Sequence, residues 1–240
     1  MGLKIKKAYG FLMDLLFPPR CAACGEVVPI GRALCPDCKD IFRHRDYKMY
    51  CISCSKEVHL CKCGGRRDGI CVTPFLYGGS IRQLILAMKF EGQRGLRFPF
   101  AEAMADSVRM LEGEEIDVVC DVPLSRQRQR KRGFNQSEDL ARAVAEAINR
   151  DYVTLLRKPV DNLSQHSLSA TERRKNVQGV YAVAEEEKIR GRTILLCDDV
   201  MTTGSTLNEC AEVLWEAGAR EVYCVSASAT APDFSGKADD

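Results

Sequence analysis

Two stretches of the sequence place reactive residue types at chemically meaningful spacing. The first is a pair of thiolate arrays: Cys21-x2-Cys24-x10-Cys35-x2-Cys38, then Cys51-x2-Cys54-x6-Cys61-x1-Cys63. Tetrahedral zinc takes four soft ligands, and a C-x-x-C turn supplies two of them at once. Gly25 suits the turn that closes the first knuckle. Two structural zinc ions are expected, one per array, with cross-braced ligation as the alternative. The last pair, Cys61-x1-Cys63, is tighter than usual. His44 and His59 could substitute for a thiolate, but they read as surface residues. A site closed by four protein ligands leaves no position for a substrate, so this module is structural or a docking surface. A disulfide framework fits less well, because no secretory signal accompanies it.

The second stretch is TILLCDDVMTTGST, Thr193 to Thr206. An apolar strand runs into two adjacent carboxylates, Asp198 and Asp199, and then into a small hydroxylated turn. A Walker B reading fails because its partner motif, G-x-x-x-x-G-K-[ST], occurs nowhere in the chain. A plain strand-turn-helix would explain Ser205 or Thr206 as a helix cap and nothing else. An anion site explains more. Backbone amides at the start of a helix point at a phosphate, Gly204 permits close approach, and Thr202, Thr203, Ser205 and Thr206 add hydroxyl donors. Asp198 and Asp199 can accept hydrogen bonds from sugar hydroxyls. One loop would hold a ribose and its 5′-phosphate. The paired negative charge would also favour cationic character developing at C1′.

The elements that must carry these residues follow from pattern and composition. The chain has 240 residues, 45% of them hydrophobic, enough for one domain and a small module. Its net charge of +2 predicts no partner by itself, so any nucleic-acid reading rests on local patches. Nine of the thirteen cysteines lie between Cys21 and Cys71; Cys120, Cys197, Cys210 and Cys224 sit in apolar contexts and read as core residues. Cys71 has no assigned role. The chain divides into an N-terminal helix over 1–19, a double zinc ribbon over 20–68, an α/β domain over 69–230 and a flexible tail over 231–240. In the α/β domain, apolar strands alternate with helices: strands at Val72–Tyr77, Ile116–Pro123, Tyr152–Lys158, Thr193–Cys197 and Glu221–Ala229, helices at Ser80–Phe90, Leu96–Leu111, Gln136–Asn149 and Ser205–Ala219. Continuous apolar strands between helices predict a mostly parallel sheet covered on both faces, with ligands at the strand carboxyl ends.

The N-terminal KIKKAYGFLMDLLFPP carries Ile5, Ala8, Leu12, Leu15 and Leu16 on one helical face, stopped by Pro18-Pro19. Asp14 breaks the apolar stretch, so a packed helix is favoured over a signal peptide. A helix for a partner or a membrane surface is the lesser alternative. No apolar run is long enough for a membrane span, and a cytoplasmic location is expected.

The loop CDDVMTTGST resembles the phosphoribosyl pyrophosphate (PRPP) loop of type I phosphoribosyltransferases. DVPLSRQRQRKRGFNQSEDLA, Asp121 to Ala141, resembles the ComF family, as do SATERRKNVQGVY, Ser169 to Tyr181, and the opening LFPPRCAACG. The resemblance covers almost the whole chain. It implies the type I phosphoribosyltransferase fold, with Asp198 and Asp199 on the ribose of PRPP and Val200, Met201, Thr202, Thr203, Gly204, Ser205 and Thr206 around its 5′-phosphate. It implies a pyrophosphate loop at Pro123, Leu124, Ser125 and Arg126, Mg²⁺ bound with PRPP, and a mobile loop over Lys158–Gly179 that includes Arg173 and Arg174. It implies pentosyl transfer to an acceptor that the residues leave open, in competence, DNA uptake or nucleotide metabolism. A second class stays open beside it: a PRPP-sensing or DNA-handling adaptor, docking a competence helicase or other DNA-processing protein through the zinc module. Arg128, Arg130, Lys131 and Arg132 fit phosphate, single-stranded DNA or a solvated turn. Lys89 reads as a helix-end lysine with its stem on apolar surface, and His166 as a surface loop residue; for each, a place in the site is the lesser alternative.

Overall fold

The computed structural model describes residues 18–30, 32–64, 69–111, 113–159 and 180–230. The expected helix over 1–19 lies almost wholly outside them. So do the tail over 231–240, His166, and most of the expected mobile loop with Arg173 and Arg174.

Six strands form one sheet. In chain order the helices and strands are helix α1 (Pro36–Lys39), β1 (Lys48–Cys51), β2 (Ile70–Thr73), α2 (Gly79–Phe90), α3 (Arg97–Val108), β3 (Val118–Asp121), α4 (Arg126–Arg132), α5 (Gln136–Ala147), β4 (Asp151–Tyr152), β5 (Leu156–Arg157), β6 (Ala182–Val183), β7 (Thr193–Met201), α6 (Ser205–Glu216) and β8 (Glu221–Ala229). The sheet order is β1-β2-β8-β7-β3-β4, with β5 and β6 as a separate antiparallel pair. Only the β1–β2 pairing in the large sheet is antiparallel. The mostly parallel sheet expected from the apolar strands is present.

Its strands are apolar throughout because each face meets a core. On β7, Leu195 and Cys197 enter the core shared with α2, α3 and α5. Ile194 and Leu196 enter the opposite core, shared with α6. From β3 the chain crosses by α5 to β4, away from the centre; from β7 it crosses by α6 to β8, the other way. Such a reversal opens a crevice at the carboxyl ends of the two central strands, here β3 and β7.

The strand expected over Val72–Tyr77 starts earlier and ends at Thr73, as β2 (Ile70–Thr73), and four further details differ from the sequence reading. The strand expected at Thr193–Cys197 continues to Met201, because β8 pairs with it as far as Met201↔Ala229. The strand expected over Tyr152–Lys158 is divided between β4 and β5. The cationic stretch is a helix, α4, capped by the Ser125 hydroxyl at one end and Gly133, at φ 79°, at the other. Finally, a strand ending at Cys51 forms the edge of the large sheet.

The cysteine-rich segment also packs into both cores. Val28, Leu34 and Phe42 join the α2–α3–α5 core. Tyr50 and Ile52 join the α6 core. Phe42 meets Phe75 and Phe100 edge to face, with ring centroids 5.6 and 4.9 Å away. Such contacts add to the area each ring buries. Phe42→Ala is expected to cost about 3 kcal/mol or more, read as a fall in the midpoint of chemical denaturation; a loss within about 0.5 kcal/mol, the range of an ordinary surface substitution, would show that the aromatic cluster does not fasten the ribbon to the domain.

Candidate functional site

A cleft of about 330 Å³ opens at the carboxyl ends of β3 and β7. Pro123, Leu124, Ser125, Arg128 and Arg132 line one side, and Asp198, Asp199, Val200, Thr202 and Thr206 the other. Two segments some 75 residues apart in sequence thus meet, as the reversal in strand order requires. Arg128 and Arg132 share a helical face at i, i+4, whereas Arg130 is exposed and off the cleft wall. Met201 is buried in the α6 core. Thr203, Gly204 and Ser205 form the far side of the turn, the two hydroxyls 2.8 Å apart.

The acidic pair is held by the start of α5. Ser137 Oγ donates to Asp198 Oδ1 at 2.9 Å, and the Asp199 amide donates to the same oxygen at 2.8 Å. Both donors to Asp198 among the described residues therefore fall on Oδ1, and Asp198 itself lines the cleft. Asp199 is buried and engaged on both oxygens: Lys89 Nζ donates to Oδ1 at 2.7 Å and Gln136 Nε2 to Oδ2 at 2.8 Å. Lys89 therefore faces the site, contrary to its reading as a helix-end lysine with its stem on apolar surface. Its side chain is only 17% exposed, so the ion pair is largely out of water. Gln136 Oε1 is buried without a hydrogen-bond partner among the described residues.

A further layer fixes α5 itself. Asn135 caps the helix, its Oδ1 accepting from the Ser137 amide at 3.1 Å. Its Nδ2 donates to Asp121 Oδ2 at 2.7 Å, and Tyr152 OH donates to Asp121 Oδ1 at 2.6 Å. Burial raises the Asp121 carboxyl above the usual range, while these two donors pull it back. The stretch Phe134-Asn135-Gln136-Ser137 is thus a platform for the acidic pair. Sequence reading passed over Gln136 and Ser137, because nothing local shows that a helix start will meet residues some 60 positions away.

The first turn of α6 is different. Gly204, at φ 67°, is its N-cap residue and makes no side-chain capping bond. The first amides of a helix have no partner within it. Here they follow directly on the turn whose Thr202 and Thr206 line the cleft. A Cβ on Gly204 would lie 2.3 Å from the backbone oxygen of Ile52. What approaches this glycine is therefore the Cys51–Cys54 knuckle of the second cysteine cluster.

Loss of surrounding water, first, and the charge of Asp199, second, push the half-buried Asp198 carboxyl up to about 7. Burial lowers the Arg132 guanidinium from its ordinary value, in opposition to the pull of Asp199. Lys158 and Tyr181, which bracket residues 160–179, also line the cleft, and Lys158 Nζ donates to Tyr181 OH at 3.3 Å.

The sulfurs of Cys21, Cys24, Cys35 and Cys38 converge within 4.8 Å of one another, and so do those of Cys51, Cys54, Cys61 and Cys63. Each array closes its own cluster in sequence order. Neighbouring sulfurs lie 3.4–3.8 Å apart. A tetrahedral zinc with ligands at about 2.3 Å requires sulfurs about 3.8 Å apart, so both donor sets fit that ion. None of the thirteen cysteines is in a disulfide. His44 and His59 are exposed and belong to neither cluster. Cys71, Cys120, Cys197, Cys210 and Cys224 are fully buried.

A model of the phosphoribosyl transferase domain family matches residues 98–231, and a model of the double zinc ribbon domain matches residues 12–73. The chain is 31% identical over 200 residues to competence protein ComFC of Streptococcus pneumoniae, spanning 80% of this chain and 86% of that one. It is 28% identical over 215 residues to competence protein F of Haemophilus influenzae, spanning 85% and 93%. It is 27% identical over 220 residues to DNA utilization protein YhgH of Escherichia coli K12, spanning 85% and 88%.

Metal analysis of protein purified without chelator is expected to find about two zinc ions per chain, as two closed four-thiolate sites require. One ion per chain would remove the second cluster from the account. A metal-free protein with all its thiols intact would remove both.

Proposed function

The chain belongs to the ComF family, with a phosphoribosyltransferase domain behind a double zinc ribbon, and from that premise we propose that its cleft binds PRPP and transfers the phosphoribosyl group. The observation that carries the reading is one cleft with complementary walls. On one side stand Asp198, with an oxygen to spare, and the turn before the uncapped α6. On the other are Ser125, Arg128 and Arg132. A sugar with a phosphate at one end and a pyrophosphate at the other matches that order of acceptors and cations.

In this reading Asp198 accepts from the ribose hydroxyls. Asp199 shapes the site through Lys89 and Gln136 and keeps negative charge beside the sugar ring. The turn Thr202–Thr206 and the first amides of α6 hold the 5′-phosphate. The segment Pro123–Arg126, with Arg128 and Arg132, attends the pyrophosphate. An acceptor nucleophile forms a bond to C1′ as the bond from C1′ to the pyrophosphate oxygen breaks; the nucleophile's proton is lost and pyrophosphate leaves with the bonding pair. Cationic character at C1′ is stabilised by the nearby carboxylates. The oxygen donors Asp198 and Gln136 Oε1 suit a hard cation, and Mg²⁺ would supply charge neutralisation on the pyrophosphate. The acceptor's chemical class is open.

A second reading, a DNA-handling adaptor, is favoured by one observation. Three arginine guanidinium groups lie over aromatic rings, Arg132 of the cleft wall over Phe90 at 4.9 Å, and beyond the cleft lining Arg94, itself paired with Asp139, over Phe134 at 5.1 Å and Arg97 over Phe98 at 4.2 Å. Phe90 and Phe98 are 61% and 54% exposed. Alternating cations and exposed rings suit single-stranded nucleic acid. The names of the relatives point the same way, and the zinc module would dock a helicase or other DNA-processing protein. The two readings share Arg132, so they can describe one protein. Among the described residues no helix is long and apolar enough to cross a membrane.

Asp198→Asn tests the ligand reading. A hydrogen bond to a charged group contributes about 1.5–3 kcal/mol, so calorimetry should show Mg²⁺-PRPP binding weakened by about tenfold or more. Wild-type affinity should rise with pH through about 7, as the carboxyl loses its proton. Stability should move the opposite way. The unfolded carboxyl titrates near 4, so between that value and about 7 the folded state holds the extra proton and loses stability as pH rises. At pH 8 the Asn variant should therefore melt about 2–4 °C higher for each kcal/mol relieved, and the gain should fade towards pH 4. Unchanged affinity would remove Asp198 from the ligand site.

Titration of a single-stranded oligonucleotide at several salt concentrations tests the second reading. Each phosphate neutralised contributes a log–log slope of about −0.7. Arg128→Gln with Arg132→Gln should flatten that slope, and Mg²⁺-PRPP should compete with the oligonucleotide. No binding at low salt would leave any DNA role to a partner protein.

A further inference from the structure

The second cysteine cluster lies against the turn that the ligand reading uses. Its first knuckle is Cys51-Ile52-Ser53-Cys54; Cys51 ends β1, paired with Ile70 of β2, and the two residues between the cysteines make the contacts with α6 and the turn before it. The Ile52 side chain is fully buried in the α6 core, together with Leu207 and Cys210 of that helix. The Ile52 carbonyl sits so close to Gly204 that a single added methyl would lie 2.3 Å from its oxygen. Ser53 Oγ donates to Asn208 Oδ1 at 2.8 Å, one turn into α6. The knuckle's own fold is local: Ser55 donates its amide to the Cys51 carbonyl at 2.8 Å, and Ser55 stands at φ 63°. A non-glycine residue in that region needs its surroundings to hold it there. A metal fixing Cys51 and Cys54 supplies such a constraint.

The turn from Thr202 to Thr206 is therefore enclosed on two sides. Thr202 and Thr206 face the cleft. Gly204 faces the knuckle. The turn has no side-chain cap to stiffen it. The first cluster has no such position: the residues around Cys21 and Cys35 pack into the other core.

We propose that the second four-cysteine cluster is part of the ligand site: its knuckle braces the phosphate turn at Gly204, so that metal held by Cys51, Cys54, Cys61 and Cys63 and phosphate ligand held in the cleft stabilise each other. Ile52 and Ser53 are positioning residues, because they touch the turn and not the ligand. Coupling between two sites is reciprocal, so the ligand must slow metal loss by the factor by which the metal tightens the ligand. The linkage to ligand rests on the phosphate reading of the turn; the brace itself does not.

The test follows zinc transfer to a chromogenic chelator, with cysteine alkylation and mass spectrometry to show which cluster opens. Without ligand, Gly204→Ala should speed zinc loss from the second cluster, because the new methyl group displaces the Ile52 carbonyl, and leave the first cluster at its wild-type rate. Asn208→Ala, a milder change that removes only the Ser53 contact, should act in the same direction and covers the case in which the alanine at 204 does not fold. Hydrogen exchange of Thr202–Asn208 should rise when zinc leaves the second cluster of the wild-type protein. Wild-type release rates in every folded variant, or unchanged exchange in the turn, would overturn the brace. With zinc-replete wild type, saturating Mg²⁺-PRPP should slow release from the second cluster by about fivefold or more, the lower range of measured couplings. PRPP that binds by calorimetry yet leaves the release rate unchanged would overturn the linkage. If PRPP does not bind the zinc-replete protein, the phosphate reading fails, and the variants without ligand still decide the brace.

Discussion

Two adjacent carboxylates at the mouth of a buried strand set the problem that the surrounding structure solves. Taking an ion out of water costs several kcal/mol even after relaxation, and two like charges side by side cost more. Asp199 is compensated by Lys89 from α2 and by Gln136 from α5. Asp198 receives Ser137 and a backbone amide, and still stands at about 7. The two acids are thus compensated unequally: Asp199 is engaged on both oxygens, whereas both donors to Asp198 fall on Oδ1. Behind them, Tyr152, Asp121 and Asn135 lock the start of α5. A substitution at Tyr152, Asp121 or Asn135 would therefore act on the acidic pair through the start of α5.

The cysteine-rich segment is woven into this arrangement. It gives the sheet an edge strand, gives each core large side chains, and sets a carbonyl against Gly204. Metal ligation in small modules supplies folding free energy directly. Here the cysteine-rich segment is also packed against the domain, through Phe42 in one core and Ile52 in the other. The two cysteine clusters are thus alike in chemistry and unlike in placement, and only the second one meets the turn.

Much of this was legible in the residues. Apolar runs such as Ile194 to Cys197 announced strands covered on both faces, because parallel strands have no solvated face to encode. The knuckle spacing announced both thiolate clusters, because ligand geometry is local. The turn after Asp199 was legible for the same reason. Lys89, Gln136 and Ser137 were not, since their partners lie 110, 63 and 61 positions away. Gly204 was expected to let the backbone approach an anion, whereas the group that crowds it is the carbonyl of Ile52, which no local pattern could reveal. The division of Tyr152–Lys158 into two short strands depends on β6, a partner only two residues long.

The proposed function requires the cleft between β3 and β7 to recognise a phosphorylated ribose that carries pyrophosphate. Calorimetric titration of zinc-replete wild-type protein with ribose 5-phosphate, Mg²⁺-pyrophosphate and Mg²⁺-PRPP in turn is the most direct measurement. The two fragments should bind weakly and PRPP far more tightly than either, because one molecule spans both walls of the cleft. No heat of binding from any of the three would contradict the proposed function.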